Sequence, residues 1–305
     1  MKTAIIMVTY NGWPLTENCL SDLSGLSSDE FVIAIADNGS TDDTVKNIQE
    51  KFPQVKIYPQ QKNLGFGAAN NAAVKALEAE GTEFDTICLL NNDTRLEKNM
   101  LVDLRNSLKE AEKLFGKAIV VPSLRNSDGT PQHNYFAQIS GLQFFLNAFR
   151  PKSLAAKHLE GSPELCKGTT FYKTFWASAV CWMMPRKLFD SLGGFDENIF
   201  MYYEDYDLAH RAIDQGYGFY IQSKCTLIHL GGGSAKSDLS RAMQHDHSQE
   251  YVFGKRLGKK GVRLSKRFRF CRSLLRLIPT GILALTNKKF LEYAKNHLAL
   301  LKEAL

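Results

Sequence analysis

Nowhere in these 305 residues do eighteen apolar residues run uninterrupted, which argues against a helix that spans a bilayer. No C-x-x-C spacing joins any of the cysteines at 19, 88, 166, 181, 225 and 271, and Cys88 and Cys181 sit inside apolar runs. That pattern excludes a zinc site or disulfide framework and fits reduced, buried thiols of a cytoplasmic protein. The opening MKTAIIMVTYNG has one lysine, a short apolar run and no small-residue cleavage site; it reads as a first strand and not a secretory leader. Internal repeats and low-complexity segments are lacking. Acidic residues are nearly missing from the end: residues 251–305 hold 14 Lys and Arg against 2 Asp and Glu, while the first 250 hold 24 against 30. An acidic body with a basic tail selects an anionic surface as the tail's partner. What is present, 44% hydrophobic and 23% charged residues, is the composition of a folded protein, long enough for one large α/β domain and an appendage, or two domains.

The first ninety residues alternate strand and helix signals. TAIIMVTY (3–10) is a short apolar run closed by the turn pair Asn11–Gly12. Leu15, Cys19 and Leu23 then recur at helical spacing. FVIAIADNGS (31–40) reads as a second buried strand, and Ser40 or Thr41 is placed to cap a helix that shows Val45, Ile48 and Phe52 on one face. VKIYPQ is a third strand, followed by a glycine-containing loop and an alanine-rich helix stopped by Gly81. TICLLNNDTRLE (86–97) is a fourth, and it runs straight into two carboxamides and a carboxylate. This βαβαβαβ order predicts a parallel sheet with helices on both faces. Such sheets bind ligands at the carboxyl ends of their strands, near the point where strand order reverses. Thr9-Tyr10-Asn11, Asp37-Asn38-Gly39 and Asn91-Asn92-Asp93 then share one edge. A single such cluster is explained as a turn; three together point to a site. Further on, AIVVPSL reads as a strand, 126–134 as loop, and 135–175 has no clean period. Residues 175–189 look like a strand passing into a helix. A helix is expected over 204–215, then two short strands bracketing Ser223, the second ending TLIHLGGGS.

The segments VTYNG, ADNGSTDDT, NLGFGAANNAA, LLNNDT, GGFDENIFMYYEDYDLAHRA and IHLGGGS occur in this order over residues 3 to 234. Together they resemble the family 2 inverting glycosyltransferases of GT-A fold, above all the branch that builds bacterial O-antigen (lipopolysaccharide) and capsule chains and includes many rhamnosyltransferases. The resemblance implies an α/β, Rossmann-like GT-A catalytic domain with a mostly parallel sheet over residues 1–250, then a basic, mainly helical tail over 251–305. It also implies a nucleotide-diphosphate sugar donor, dTDP-L-rhamnose first and a UDP-hexose or UDP-galactofuranose second. The implied acceptor is a glycan on polyprenyl diphosphate, at the cytoplasmic, inner face of the bacterial plasma membrane. Two other classes are set against this reading. A nucleotidyltransferase would lead with a glycine-rich, basic diphosphate loop, which the first strand turn lacks. A non-catalytic nucleotide-sugar-binding protein would be expected to lose the Glu204–Asp205 pair.

A nucleotide sugar needs a base pocket, a ribose contact, cation support for its diphosphate, and a base for the attacking hydroxyl. Asp37 suits a pyrimidine or ribose edge, with a helix cap as its local alternative, and Tyr10 can pack on the base. Asn63, Gly65 and Asn71 lie on the next loop and helix start, where glycine permits close backbone approach; a turn or cap is the other reading of the two carboxamides. Thr9, Asn11, Asn38, Asn91 and Asn92 complete the expected donor set. The family's Asp-x-Asp metal motif reads Asn91-Asn92-Asp93 here. Asp93 is then a carboxylate ligand for Mg²⁺ or Mn²⁺, Asn91 offers only a neutral carbonyl, and His229 matches a position that completes the metal site in relatives. Glu204 and Asp205 stand at a helix start, where the dipole favours an anion. The resemblance assigns the catalytic base to Asp205 and acceptor contact to Glu204. Asp207 and Arg211, at i, i+4, read as helix support. Trp176 and Tyr203 are candidates for stacking on an acceptor sugar, Trp182 is expected in the core, and Gly231 to Ser234 read as a hinge. In the tail, residues 255–276 place ten basic residues among Leu, Val and Phe with no acid. That composition suits a helix lying in an anionic membrane interface. Nucleic acid is rejected as the partner; packing on the catalytic domain or within a homodimer is the rival.

Overall fold

The computed structural model describes residues 2–136, 163–231, 238–284 and 288–304. They divide into a sheet-based unit (2–136, 163–200 and 204–231) and a helical unit, which takes in Met201–Tyr203 and the residues from Asp238 on.

The sheet unit is built on β1 (Thr3–Thr9), β2 (Phe31–Asp37), β3 (Lys56–Pro59) and β4 (Thr86–Leu90), which run parallel. β1 is buried along its length because helices cover both faces. Ile5 and Met7 point into one core cluster, and Ala4 and Ile6 into the other, as the two-residue period of a strand requires. The first cluster receives Leu20 and Leu23 of α1 (Trp13–Leu23), Ile48 of α2 (Thr44–Lys51) and Leu104 and Leu108 of α4 (Met100–Phe115). The second receives Ala73 and Leu77 of α3 (Phe66–Ala79).

The rest of the sheet comes from β5 (Thr94–Leu96), β6 (Ala118–Arg125), β7 (Pro131–Gln132), β9 (Glu164–Leu165), β10 (Phe171–Thr174), β12 (Cys181–Pro185) and β13 (Gly218–His229). β8 (Tyr135–Phe136) and β11 (Trp176–Ala177) form a separate pair. The order is β3-β2-β1-β4-β12-β6-β13-β10-β9, with β12 antiparallel to both neighbours and β6–β13 parallel again. Two helices, α5 (Arg186–Leu192) and α6 (Glu204–Asp214), add Leu188 and Leu208 to the second cluster. Chain order runs outward from β1 to β3 and then returns to β4 on the other side, so the reversal lies between β1 and β4.

Three expectations change here. Helix α4 fills a stretch that the sequence reading leaves unassigned. The two strands around Ser223 are one strand, β13, whose pairing with β6 slips between Gln222 and Thr226. The N-cap position of α2 is Asp43, which makes no side-chain capping bond, and not Ser40 or Thr41, which are engaged in the loop before it. The cysteines are free thiols. Cys19, Cys88, Cys181 and Cys225 are buried, with the Cys88 and Cys181 sulfurs 4.0 Å apart.

The helical unit holds α7 (Asp238–Leu257), α8 (Lys259–Ala284) and α9 (Lys288–Ala304). Helix α8 continues past Pro279 and Gly281. Polar groups tie α7 to α8: Arg272 donates to both oxygens of buried Asp246 at 2.6 and 2.7 Å, and Arg269 pairs with Glu250 at 3.2 Å. Lys259, Lys260, Arg263, Lys266 and Arg267 are exposed on α8, followed by exposed Leu274 and Leu275. Among the described residues no helix is long and apolar enough to cross a membrane. Gly232 to Ser234 of the expected hinge lie outside the described residues.

Candidate active site

Register fixes the site's edge. Thr9 lies directly opposite Asp37, so β1 and β2 end level, and the Asn38 amide continues the ladder to the Thr9 carbonyl at 2.8 Å. β4 ends at Leu90, and the Asn91 amide donates to the carbonyl of Val180, just ahead of β12. β13 arrives antiparallel to β5 with His229 opposite Thr94, and Leu230 donates its amide to the Asp93 carbonyl at 2.9 Å. The strand ends therefore converge where the order of the sheet reverses, which is where open α/β sheets bind ligands.

Most of the expected donor-site carboxamides bond to the protein itself. Asn11, at φ +47°, donates its amide to Ser40 Oγ and accepts the Thr41 amide on Oδ1, both at 2.8 Å. Buried Asn38 accepts from the Leu64 amide at 3.1 Å and donates to the Gly65 carbonyl at 2.9 Å. Asn63 turns the next loop by accepting the Gly65 amide at 2.9 Å. Asn71 holds both the N–H and the C=O of Phe195 at 2.9 Å. Asn92 donates to Thr16 Oγ1 at 2.9 Å and to Thr9 Oγ1 at 3.3 Å. Gly65 has φ +84°, and a Cβ there would stand 1.9 Å from the Phe200 carbonyl oxygen. Asp37 is buried and is no helix cap; its carboxylate accepts the Gly39 and Ser40 amides at 3.2 and 2.9 Å and the Ser40 hydroxyl at 2.5 Å. These residues shape the walls of the edge, with the Tyr10 side chain 40% exposed beside them.

The end of β4 is different. Asn91 Oδ1 and Asp93 Oδ1 are buried without a hydrogen-bond partner. Asp93 Oδ1 also faces His229 Nε2 at 3.3 Å. Gln132 of β7 sets the imidazole: its Nε2 donates to Asn126 Oδ1 at 2.9 Å and to the His229 carbonyl at 3.2 Å. Its Oε1 is thereby left to accept from His229 Nδ1 at 2.8 Å. With Nδ1 held by Gln132, Nε2 is turned toward the Asp93 carboxylate oxygen. No three His, Cys, Asp or Glu side chains converge among the described residues. Asp93 and His229 do meet there, with the orphaned Asn91 side-chain carbonyl two residues before Asp93 at the same strand end, and donors of these kinds suit Mn²⁺ or Mg²⁺.

Glu204 and Asp205 open α6. Asp205 Oδ2 accepts the Ala179 amide at 3.3 Å and its Oδ1 the Tyr206 amide at 2.8 Å. Ala179 precedes Val180, whose carbonyl accepts the Asn91 amide, so the Asp205 carboxylate is tied through Ala179 to the same edge. Burial, and then the neighbouring Asp205 charge, lift Glu204 to about 8. Burial also raises Asp205, against the pull of the Ala179 and Tyr206 amides. Near neutral pH Glu204 therefore keeps its proton, while Asp205 is the carboxyl that backbone amides hold, a division of labour between adjacent carboxyls. Asp207 and Arg211 form the expected helix pair at 2.7 Å, and Arg211 also donates to the Leu192 carbonyl at 2.8 Å.

The family model for glycosyl transferase family 2 matches residues 4–193, more than half of the chain. The chain belongs to that family. It is 27% identical over 266 residues to the N-acetylglucosaminyl-diphospho-decaprenol L-rhamnosyltransferase of Mycobacterium tuberculosis, an alignment covering 82% of each chain. A mannosyltransferase from Pyrobaculum calidifontis, solved with GDP-Man and Mn²⁺, superposes with a TM-score of 0.54 at 16% identity, over 99% of this chain and 85% of its own. S. aureus TarS superposes with a TM-score of 0.55 at 15% identity over 88% of this chain, which spans only 43% of that structure. The fold is the GT-A fold.

In this family 2 glycosyltransferase, Trp176 stacks on Phe136 at 4.2 Å and meets Tyr206 edge-on at 5.5 Å, a half-buried aromatic face next in sequence to the acidic pair. Tyr203 belongs to the helical unit, where its hydroxyl accepts from Gln249 at 2.6 Å. Trp182 is fully buried, as expected. The sequence reading misses Gln132 and Ala179, and gives Ser40 and Thr41 only a helix-capping role. The first sits on a two-residue strand with no periodic signal, and the others act through bonds to residues far along the chain. A cavity of about 1060 Å³ lies at the opposite, amino-terminal edge of the strands. Two of its lining cations are paired, Lys56 with Glu80 and Arg186 with Glu78, and it is remote from these groups.

Proposed function

We propose that this glycosyltransferase moves L-rhamnose, with inversion, from dTDP-L-rhamnose to a hydroxyl of a glycan carried on polyprenyl diphosphate. The observation that carries the chemistry is the pair of functions at one sheet edge: the buried, unbonded oxygens of Asn91 and Asp93 beside His229, and the amide-held carboxylate of Asp205. The sugar and the acceptor rest on the likeness to the mycobacterial rhamnosyltransferase along most of both chains. Tyr10 and the loop held by Asp37 would receive the nucleotide. Asn91, Asp93 and His229 would hold Mg²⁺ or Mn²⁺, which when bound offsets charge on the departing diphosphate.

Asp205 takes the proton from the acceptor hydroxyl as its oxygen attacks the anomeric carbon. The bond from that carbon to the diphosphate oxygen breaks, and the nucleoside diphosphate leaves with the electron pair. General-base assistance of this kind is worth about 10²–10⁴-fold. Protonated Glu204, buried beside Asp205, would offer its O–H to the acceptor. The membrane side of the proposal rests on the exposed cations and leucines of α8. They suit an anionic bilayer surface, which supports a location at the inner face of the plasma membrane.

The test is release of nucleoside diphosphate from a panel of dTDP-rhamnose, UDP-glucose, UDP-galactose and UDP-galactofuranose with a polyprenyl-diphosphate-linked acceptor. Turnover with dTDP-rhamnose, lost in EDTA and in Asp205→Asn, is expected. Preference for a UDP-sugar would overturn the donor, and full turnover in EDTA would overturn the metal.

A further inference from the structure

The two residues ahead of the acidic pair are strained. Tyr202 and Tyr203 have φ values of +66° and +65°, a left-handed conformation that bulky residues adopt only when their surroundings enforce it. Those surroundings are one face of α7. Ser248 Oγ donates to the Met201 carbonyl at 2.7 Å, and Gln249 Nε2 donates to the Tyr203 hydroxyl at 2.6 Å. The His245 ring packs 5.0 Å from Tyr203 and 5.9 Å from Tyr202, and Phe253 meets Tyr203 edge-on at 6.3 Å. Positions 245, 248, 249 and 253 share a helix face by their i, i+3 and i+4 spacing. Ser248 and Gln249 are buried, and Gln249 is itself fixed by Ser265 of α8, which donates to its Oε1 at 3.3 Å. A hydrogen-bonded chain thus runs from α8 through α7 to a strained dipeptide, and the next peptide bond leads into Glu204.

We propose that Ser248 and Gln249 are positioning residues for the transfer reaction, holding Met201–Tyr203 in the left-handed turn from which α6, and so the carboxylates of Glu204 and Asp205, take their direction. The proposal rests on the reading of Asp205 as the base. Without the two hydrogen bonds, the tyrosines relax to negative φ and the first turn of α6 loses its fixed start. A displacement of about 1 Å in a catalytic group can cost on the order of 10²-fold in rate.

The test pairs Ser248→Ala/Gln249→Leu with the same variant carrying Tyr202→Gly, since glycine adopts positive φ freely. Expected for the first is a kcat lower by about tenfold or more with the KM for nucleotide sugar unchanged, and faster amide exchange at Glu204–Tyr206. Adding Tyr202→Gly should restore most of kcat and of the exchange protection. A packing defect would instead lower Tm and the active fraction, and extra glycine freedom would deepen it. The proposal is overturned by unchanged kcat, or by a fall that Tyr202→Gly does not reverse. Single Ser248→Ala, which removes one oxygen only, gives the same readouts if the double variant does not fold. Exchange tests the geometry even if no donor in the panel turns over, so failure of this inference and failure of the assigned activity remain distinct.

Discussion

Glu204 and Asp205 are adjacent in sequence, yet their surroundings differ: Asp205 is met by two backbone amides, whereas Glu204 Oε2 is buried with no partner. The consequence is a pH dependence of stability with a definite sign. Folding raises Glu204 from its ordinary value of 4.5 to about 8 and so favours its protonated form. Its stabilising contribution is complete below 4.5 and is lost as pH rises through 8, with a slope of up to about 1.4 kcal/mol per pH unit. Glu204→Gln, which stays neutral, should flatten that slope, so its Tm should overtake that of the parent above about pH 7. Thermal unfolding of both proteins across pH 5–9 would check this; parallel curves would place Glu204 in contact with solvent.

At the scale of elements, the loop from Asn63 into α3 is fixed by how closely it approaches the 195–200 segment. Gly65→Ala should cost about 2–4 kcal/mol, combining a left-handed penalty with a clash against the Phe200 carbonyl, and denaturant melts would measure it. A loss under 0.5 kcal/mol would mean the loop has room to shift. The sequence exposes the glycine but not its neighbour, and that contrast recurs. Strands β1, β2 and β4 were legible because apolar runs stop abruptly at Asn–Gly, Asp–Asn–Gly and Asn–Asn–Asp. Their shared edge followed from alternation with helices. Helix α4 carries a readable face in Leu101, Leu104, Leu108 and Ala111, so its omission was not for want of signal. The slip in β13 was hidden, since exposed Ser223 and Lys224 interrupt an apolar pattern as a turn would. For the site, residue type pointed to strand ends that the fold brings to one edge, but not to the partners of those residues. Asn38 bonds Gly65, Asn71 bonds Phe195, and Gln132 orients His229. Such pairings come from the fold, not from local pattern, so carboxamides that look free to meet a nucleotide are found spent on the protein.

At the scale of the whole molecule, charge and thiols mark the two units differently. The exposed row Lys259, Lys260, Arg263, Lys266 and Arg267 should bind anionic vesicles with about 1 kcal/mol per residue. Replacing the five with glutamine should therefore release the protein from phosphatidylserine vesicles, and salt should weaken the parent's binding. Cosedimentation indifferent to salt and to the substitutions would assign the row to protein packing instead. The sulfur atoms record something else. Burial lifts the Cys19 thiol to about 12 and that of Cys225 to about 11, and Cys88 and Cys181 are shut in with them. A thiol shut away from solvent is inert, so alkylation of these four buried cysteines must wait until the sheet opens, whereas half-buried Cys166 and Cys271 should label early. Mass spectrometry of the tagged peptides would then time the opening of the core against that of its periphery, site by site. The chain thus carries its own unfolding clock, already wound and needing no engineered probe.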